Sequence, residues 1–317
     1  MMKWLGRGLA LLAGALIAAL VFLYIVSPQT AYQLALTLER GNAGLDVSEV
    51  SLGDVTLPVL EGGSGPPLLL IHGFGGDKDN WTRLAGELTD HFRVIAPDLP
   101  PFGEAPTDPD RGYGYAAQVD RIHQLVQAMD LSLVHVGGNS MGGAIAGAYA
   151  AAHPETVRSL WLLAPAAVAD APPSELDEHV AAGGENPLLP ATREQYFELM
   201  DWVFHEPPYI PAPVQWVLAQ QAVAQRDRRS RVLEQIHADP LDLAAALDGV
   251  GVPTLITWGE HDRLLAVGGA RILDQALPDS QLHLMPATGH VPMIERPAAT
   301  AAAFREFAAG LERRGAE

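Results

Sequence analysis

Six short apolar runs, separated by stretches with helical spacing, limit what this 317-residue chain can become more than any other feature. They are LLLIH (68–72), RVIAP (93–97), LVHVG (133–137), SLWLLAP (159–165), TLITWG (254–259) and QLHLM (281–285). Each is apolar at nearly every position instead of alternating, so both faces of the strand must be covered. Helices predicted over 80–89, 115–129, 141–153, 268–277 and 297–310 supply that cover. The alternation predicts an α/β fold with a mostly parallel sheet between two helical layers. The rhythm breaks over 166–247, where Pro-rich turns alternate with aromatic helical segments. That block is expected to be a cap inserted over the sheet, leaving 66–165 and 248–317 as the core.

Two segments precede the core. Residues 8–26 are uncharged and apolar, preceded by Lys3 and Arg7. At about 1.5 Å per residue they reach roughly 28 Å, close to the hydrocarbon thickness of a bilayer. Residues 1–28 are therefore expected to form an N-terminal transmembrane anchor, with the membrane as partner. The positive charges before the span predict that the rest of the chain lies on the non-cytoplasmic, periplasmic or extracellular side. In the connector, 29–65, AYQLALTLER reads as an amphipathic helix lying along the membrane surface. VSEVSLG and VTLPVL read as two strands of a hairpin, closed by Gly62-Gly63-Ser64-Gly65.

Charge and composition remove several function classes. With 38 acidic side chains against 20 Lys and Arg, the net charge is −18, which repels phosphate backbones and argues against a nucleic-acid partner. There is no cysteine, hence no thiolate zinc site, iron–sulfur cluster or Cys nucleophile. The histidines are scattered and no H-E-x-x-H occurs, so no metal is expected. No Walker sequence is present, and Gly73-Phe74-Gly75-Gly76-Asp77-Lys78 lacks the third glycine of a dinucleotide turn. No cofactor is expected.

The strongest local signal is Gly138-Asn139-Ser140-Met141-Gly142, directly after one apolar run and before the small-residue helix GGAIAGAYAAAH. In that setting G-x-S-x-G puts a serine on a sharp strand-to-helix turn, its hydroxyl pushed out at the carboxyl edge of the sheet. A serine hydroxyl is a weak nucleophile and needs a base oriented by an acid. Asp262, after TLITWG, and His290, after QLHLM, stand in the required chain order, each just past a strand end. Glu260 and Asp170 are rival acids, and His261 and His283 are read as a surface turn and a strand face. Two backbone donors must receive the oxyanion. The amide of Met141 is one, and the amide of Phe74, in His72-Gly73-Phe74-Gly75-Gly76, is the other. His72 is expected to brace that loop. In the inserted block, Phe197, Trp202, Phe204, Tyr209, Ile210 and Trp216 are candidates for lining a greasy acyl channel, beside Tyr196.

The stretches HGFGGDKDNW, GNSMGGAIAGAYAAAHPETVRSLWLLAPA, NPLLPATREQYFELM, PTLITWGEHDRLLAVGGARIL and GHVPMIERP resemble the α/β-hydrolase superfamily, and within it the membrane-anchored monoacylglycerol lipase branch. That resemblance covers most of residues 66–310. It implies Ser140 as nucleophile, Asp262 as acid, His290 as base, and Phe74 and Met141 as oxyanion donors. Two departures stand out. Pro101 replaces a glycine of the superfamily's D-x-P-G-x-G, here Asp98-Leu99-Pro100-Pro101-Phe102-Gly103. GNSMGG also recurs in carbon–carbon bond hydrolases, but those carry Gly-Pro-Gly-Ala where this chain has Phe74-Gly75-Gly76-Asp77. The expected activity is hydrolysis of carboxylic esters of lipid-like substrates, as by a monoacylglycerol lipase or carboxylesterase. The alternatives are a carbon–carbon hydrolase of the meta-cleavage-product type or a non-catalytic binding protein of the same fold.

Overall fold

Eight strands form one twisted sheet in the computed structural model, which describes residues 12, 14–18, 21, 22, 27–107 and 111–316. The strands are β1 (Leu45–Ser51), β2 (Thr56–Gly62), β3 (Pro67–Ile71), β4 (Arg93–Pro97), β5 (Val134–Ser140), β6 (Val157–Pro165), β7 (Thr254–Gly259) and β8 (Ser280–Met285). Their order is β1-β2-β4-β3-β5-β6-β7-β8. The pairs β1–β2 and β2–β4 are antiparallel, and β4-β3-β5-β6-β7-β8 run parallel throughout. All six apolar runs are strands of this parallel part. The hairpin β1–β2 turns at residues 52–55, with Gly53 at φ +93°. Gly62–Gly65 therefore does not close the hairpin but carries the chain from β2 across to β3.

The helices are α1 (Pro28–Asn42), α2 (Thr82–Ala85), α3 (Tyr115–Ala128), α4 (Met141–Ala152), α5 (Glu175–Ala181), α6 (Arg193–Val203), α7 (Ala212–Ala224), α8 (Arg226–Ala238), α9 (Leu243–Leu247), α10 (Gly268–Ala276), α11 (Pro292–Glu295) and α12 (Pro297–Ala316). The helix expected over 80–89 is shorter: a 3-10 turn, Lys78–Trp81, followed by α2. Helices α5 to α9 occupy the interval between β6 and β7.

Successive residues of β3 show why the strands are apolar on both faces. Leu69 and Ile71 join Ile95, Val136 and Leu162 on one face, beneath α3, α4 and α10. Leu68 and Leu70 join Val94, Trp161 and Leu163 on the other, beneath α12. There Trp161 stacks on Phe304, ring centroids 4.4 Å apart, both fully buried.

The structure corrects the anchor expected over 8–26, together with the non-cytoplasmic placement that rested on it. Among the described residues no helix is long and apolar enough to cross a membrane. Apart from residues 12, 14–18, 21 and 22, that stretch lies outside the described residues. Ser27 is a non-helical N-cap (φ −137°, ψ 74°), so Pro28 opens a separate helix. That helix, α1, packs on α7 with Tyr32 buried, so its inner face is spent on the body of the protein.

Candidate active site

Ser140 closes β5 and serves as the N-cap of α4, at φ 56° and ψ −120°. A non-glycine residue at positive φ is strained, and such strain persists only where the surroundings enforce it. Here the flanking glycines make the turn possible. A methyl on Gly138 would overlap the Gly142 carbonyl, and one on Gly142 would overlap the carbonyls of Ile71 and His72. The small residues of α4 thus let the helix press directly on β3 and β5.

Asp262 and His290 meet although 28 residues separate them: Nδ1 of His290 lies 2.7 Å from Oδ2 of Asp262. The Asp262 carboxylate is buried, and its Oδ1 accepts the amides of Leu264 (2.9 Å) and Leu265 (3.0 Å). With Oδ2 accepting from Nδ1, the proton sits on that nitrogen and Nε2 is left as the basic one. Ser140 and His290 share the wall of one cavity of about 460 Å³, within the range of small-molecule sites. No hydrogen bond joins their side chains among the described residues; such contacts often tighten only when substrate binds. The rival acids Glu260 and Asp170 are exposed, and neither bonds His290. His261 is exposed and stacks on His205, and His283 is a half-buried residue of β8.

Phe74 and Met141 line the same cavity. Met141 is the first residue of α4, so its amide has no acceptor four residues earlier within the helix. Phe74 lies in a turn closed by Gly76 N–H donating to Gly73 O at 3.1 Å. His72 is fully buried and clamps this loop. Its Nε2 accepts from the Leu99 amide at 3.0 Å, so Nδ1 carries the proton and donates to Gly73 O at 2.9 Å. Burial pushes the His72 pKa down, which keeps that neutral tautomer. The departure at Pro101 leaves this neighbourhood packed: the Pro100–Pro101 bond is cis, and Phe102 sets its ring edge against His72 and Phe74.

Two further residues hold the His290 loop, and neither was among the residues singled out from the sequence. Asn139 donates from Nδ2 to the carbonyls of Leu163 and His290, each at 3.0 Å. Glu295 accepts the amides of Gly289 (2.9 Å), Glu206 (2.8 Å) and His205 (3.3 Å), tying the His290 loop to the loop after α6. Both lie inside quoted motifs, as the x of G-x-S and the Glu of GHVPMIERP. Position alone carried no sign of their hydrogen bonds.

The aromatic candidates divide. Phe204 and Ile210 line the cavity, whereas Phe197, Trp202, Tyr209 and Trp216 do not. On α6 the inward stripe is Tyr196, Leu199, Met200 and Val203, a helical repeat that leaves Phe197 (42% exposed) and Trp202 off the face. Trp202 instead lies under the Arg263 guanidinium at 4.3 Å, Trp216 lies near Arg193, and Tyr209 is 82% exposed.

Charged residues gather at one end of the cavity. Lys78, one of two lysines in the chain, is buried with Nζ 2.8 Å from both Asp98 and Glu104. Burial opposes its charge, but Asp98 and Glu104 more than offset this and hold its pKa above the usual lysine value. Arg40 of α1 grips Asp79 with two bonds of 2.6 Å. Among the described residues no group of three or more His, Asp or Glu could hold a metal ion.

Residues 66–297 match the α/β hydrolase fold family. The chain belongs to the α/β-hydrolase family. This α/β hydrolase is 38% identical over 286 residues to Lipase 1 of Psychrobacter immobilis, covering 88% of this chain and 89% of that one. It is 29% identical to the human monoacylglycerol lipase ABHD6, covering 78% of this chain and 77% of the relative. Among solved structures, a membrane phospholipase A described as a bacterial virulence factor superposes with a TM-score of 0.88 at 39% identity, covering 98% of this chain and 99% of that one.

Proposed function

We propose that this α/β hydrolase cleaves carboxylic esters of lipid-like substrates, as a lipase or monoacylglycerol lipase does, through Ser140, His290 and Asp262. The observation that carries the reading is the 2.7 Å bond between His290 and a buried Asp262, at a cavity that also holds a serine at φ 56°. Ser140 Oγ attacks the ester carbonyl while Nε2 of His290 takes its proton. The oxyanion is received by the amides of Phe74 and Met141, and losing one such donor typically costs about 3–4 kcal/mol of transition-state stabilisation. His290 then protonates the leaving alcohol. A water that gives its proton to His290 next hydrolyses the acyl-enzyme, and Asp262 steadies the imidazolium in both halves. In this reading residues 166–247 act as a cap over the 66–165 and 248–317 core, and the aliphatic stripe of α6 takes the acyl chain. The lipase and monoacylglycerol lipase relatives support the substrate class.

A fluorophosphonate probe should label wild-type protein and leave Ser140→Ala unlabelled at the same thermal midpoint. Folded wild type that takes no label would be a binding protein instead. A p-nitrophenyl ester series run beside a meta-cleavage dienoate should show turnover of the esters, and strict preference for the dienoate would assign the carbon–carbon hydrolase.

A further inference from the structure

The cations in the cavity wall are not equivalent. Arg40 is held by Asp79, and Lys78 by Asp98 and Glu104. Arg229, on α8, has no ion pair among the described residues. Its guanidinium makes one hydrogen bond, from Nη2 to the Gly75 carbonyl at 3.0 Å, and its buried Nε has no partner. The residue is only 7% exposed. A buried guanidinium with idle donors is costly, by an amount that depends on what completes its shell.

Its position is also specific. The guanidinium lies against Gly75, where a Cβ would stand 3.0 Å from Cζ and where φ is +72°. Gly75 follows Phe74, so this cation sits one residue from the proposed oxyanion donor, in the wall that also carries Ser140 and His290. Asp77 is the acid that acts on it, with the hydroxyl of Tyr196 also near and Arg228 adding positive charge. Asp77 is spent on capping the 3-10 turn by accepting the Asp79 amide. Burial, with the carboxylates of Asp79 and Asp98, pushes the Asp77 pKa up to about 7, so near neutrality it cancels the guanidinium charge only in part. The rest of the wall combines the paired charges of Arg40, Lys78, Asp79 and Glu104 with an aliphatic part formed by Leu199, Met200, Leu218 and Leu233.

We propose that Arg229 is an anion subsite of this cavity, receiving an oxyanion group, phosphate or carboxylate, carried on the alcohol portion of the ester substrate. The alcohol portion is the place for the charge because a fatty acyl chain is hydrocarbon and belongs against the aliphatic wall. Guanidinium is suited to this, since its planar donors match phosphate and carboxylate oxygens. The inference rests on the ester-hydrolase reading and gives it a preference for anionic over neutral acyl esters.

The test is a ratio of kcat/KM values for esters sharing one octanoyl chain, used below their micelle-forming concentrations. The pair is 1-octanoylglycerol and 1-octanoylglycerol 3-phosphate, with octanoylglycerate as the carboxylate arm. Wild type should favour at least one anionic ester over the neutral one by about tenfold or more, as expected for hydrogen bonds to a charged group. Arg229→Gln should collapse that ratio, mainly through KM, with Arg229→Lys in between. Whichever anionic arm carries the preference identifies the group received. A wild type that prefers the neutral ester overturns the subsite whether or not the variants fold, and so does a ratio that survives Arg229→Gln. Either result leaves the ester-hydrolase reading standing, whereas failure to hydrolyse any of the three esters overturns both.

Discussion

Glu295 and Asp262 are carboxylates held by similar means for different ends. Glu295 accepts three amides and so joins the His290 loop to the loop after α6. Glu295→Ala should strand those donors, lowering stability by about 3 kcal/mol or more in urea unfolding and lowering kcat as the His290 loop loosens. Glu295→Gln, which keeps acceptor oxygen, should recover part of both. Unchanged kcat in Glu295→Ala would remove it from the support of the base. Asp262→Asn should leave the melting temperature nearly unchanged yet reduce kcat by about 10⁴-fold, the scale seen when a triad acid loses its charge and the imidazole its tautomer. At this scale chain order pointed to Ser140, Asp262 and His290, because G-x-S-x-G and strand ends are local patterns. It could not separate Asp262 from Glu260 by chemistry, since both are carboxylates in one loop. Folding separates them by burying the first and exposing the second.

Helix α4 shows how one element is tuned to its neighbours. Gly142→Ala should cost several kcal/mol and sharply lower soluble yield, because the added methyl would meet backbone carbonyls that cannot withdraw. Gly41→Ala, in α1 with open space around it, should instead raise stability by up to about 1 kcal/mol. Thermal melts of the two variants check both signs. The strands and long helices of the core were legible because apolar runs and helical spacing are driven by burial within each element. The helices between β6 and β7 were legible only as a block. Aromatic residues on them pack outward as readily as inward, as Trp202 does under Arg263, so residue type did not reveal the lining face. Helix α1 was read as amphipathic, and its polar–apolar pattern could not say which surface would receive it. In the structure Tyr32, Leu36 and Arg40, four residues apart, reach the cavity instead.

For the molecule as a whole, buried histidines contribute a loss of stability toward acid pH. Burial lowers the pKa of His135 to about 4, its Nδ1 lying 2.7 Å from the Ser159 hydroxyl. The unfolded chain binds that proton near pH 6.5, the folded one only near 4. Between those values the unfolded state carries more protons, so stability is whole above about 6.5 and falls as pH drops through the window, by about 3 kcal/mol in all. His72, shifted in the same direction by burial, adds to the loss, whereas Asp77, raised to about 7, takes up a proton in the folded state over the same range and opposes it. In urea unfolding from pH 8 to 4, the pH slopes of wild type and His135→Gln should differ by about one proton, wild type losing more stability toward acid. An unaltered slope in the variant would reject the assignment.

Residue order alone carried the sheet's parallel core and the sharp turn at Ser140, and it offered Asp262 and His290 as that serine's proposed partners, because each reading depends on burial period or on steric demands within a few residues. Contacts between distant segments were settled only in three dimensions. The clamp of His72 on Leu99, the hold of Glu295 on two loops and the hydrogen bond from Arg229 to the Gly75 carbonyl join residues up to 154 positions apart. Hydrogen bonds at that separation leave no periodic trace along a chain; they arise where packed elements happen to bring polar groups together and exclude the water that would otherwise serve them.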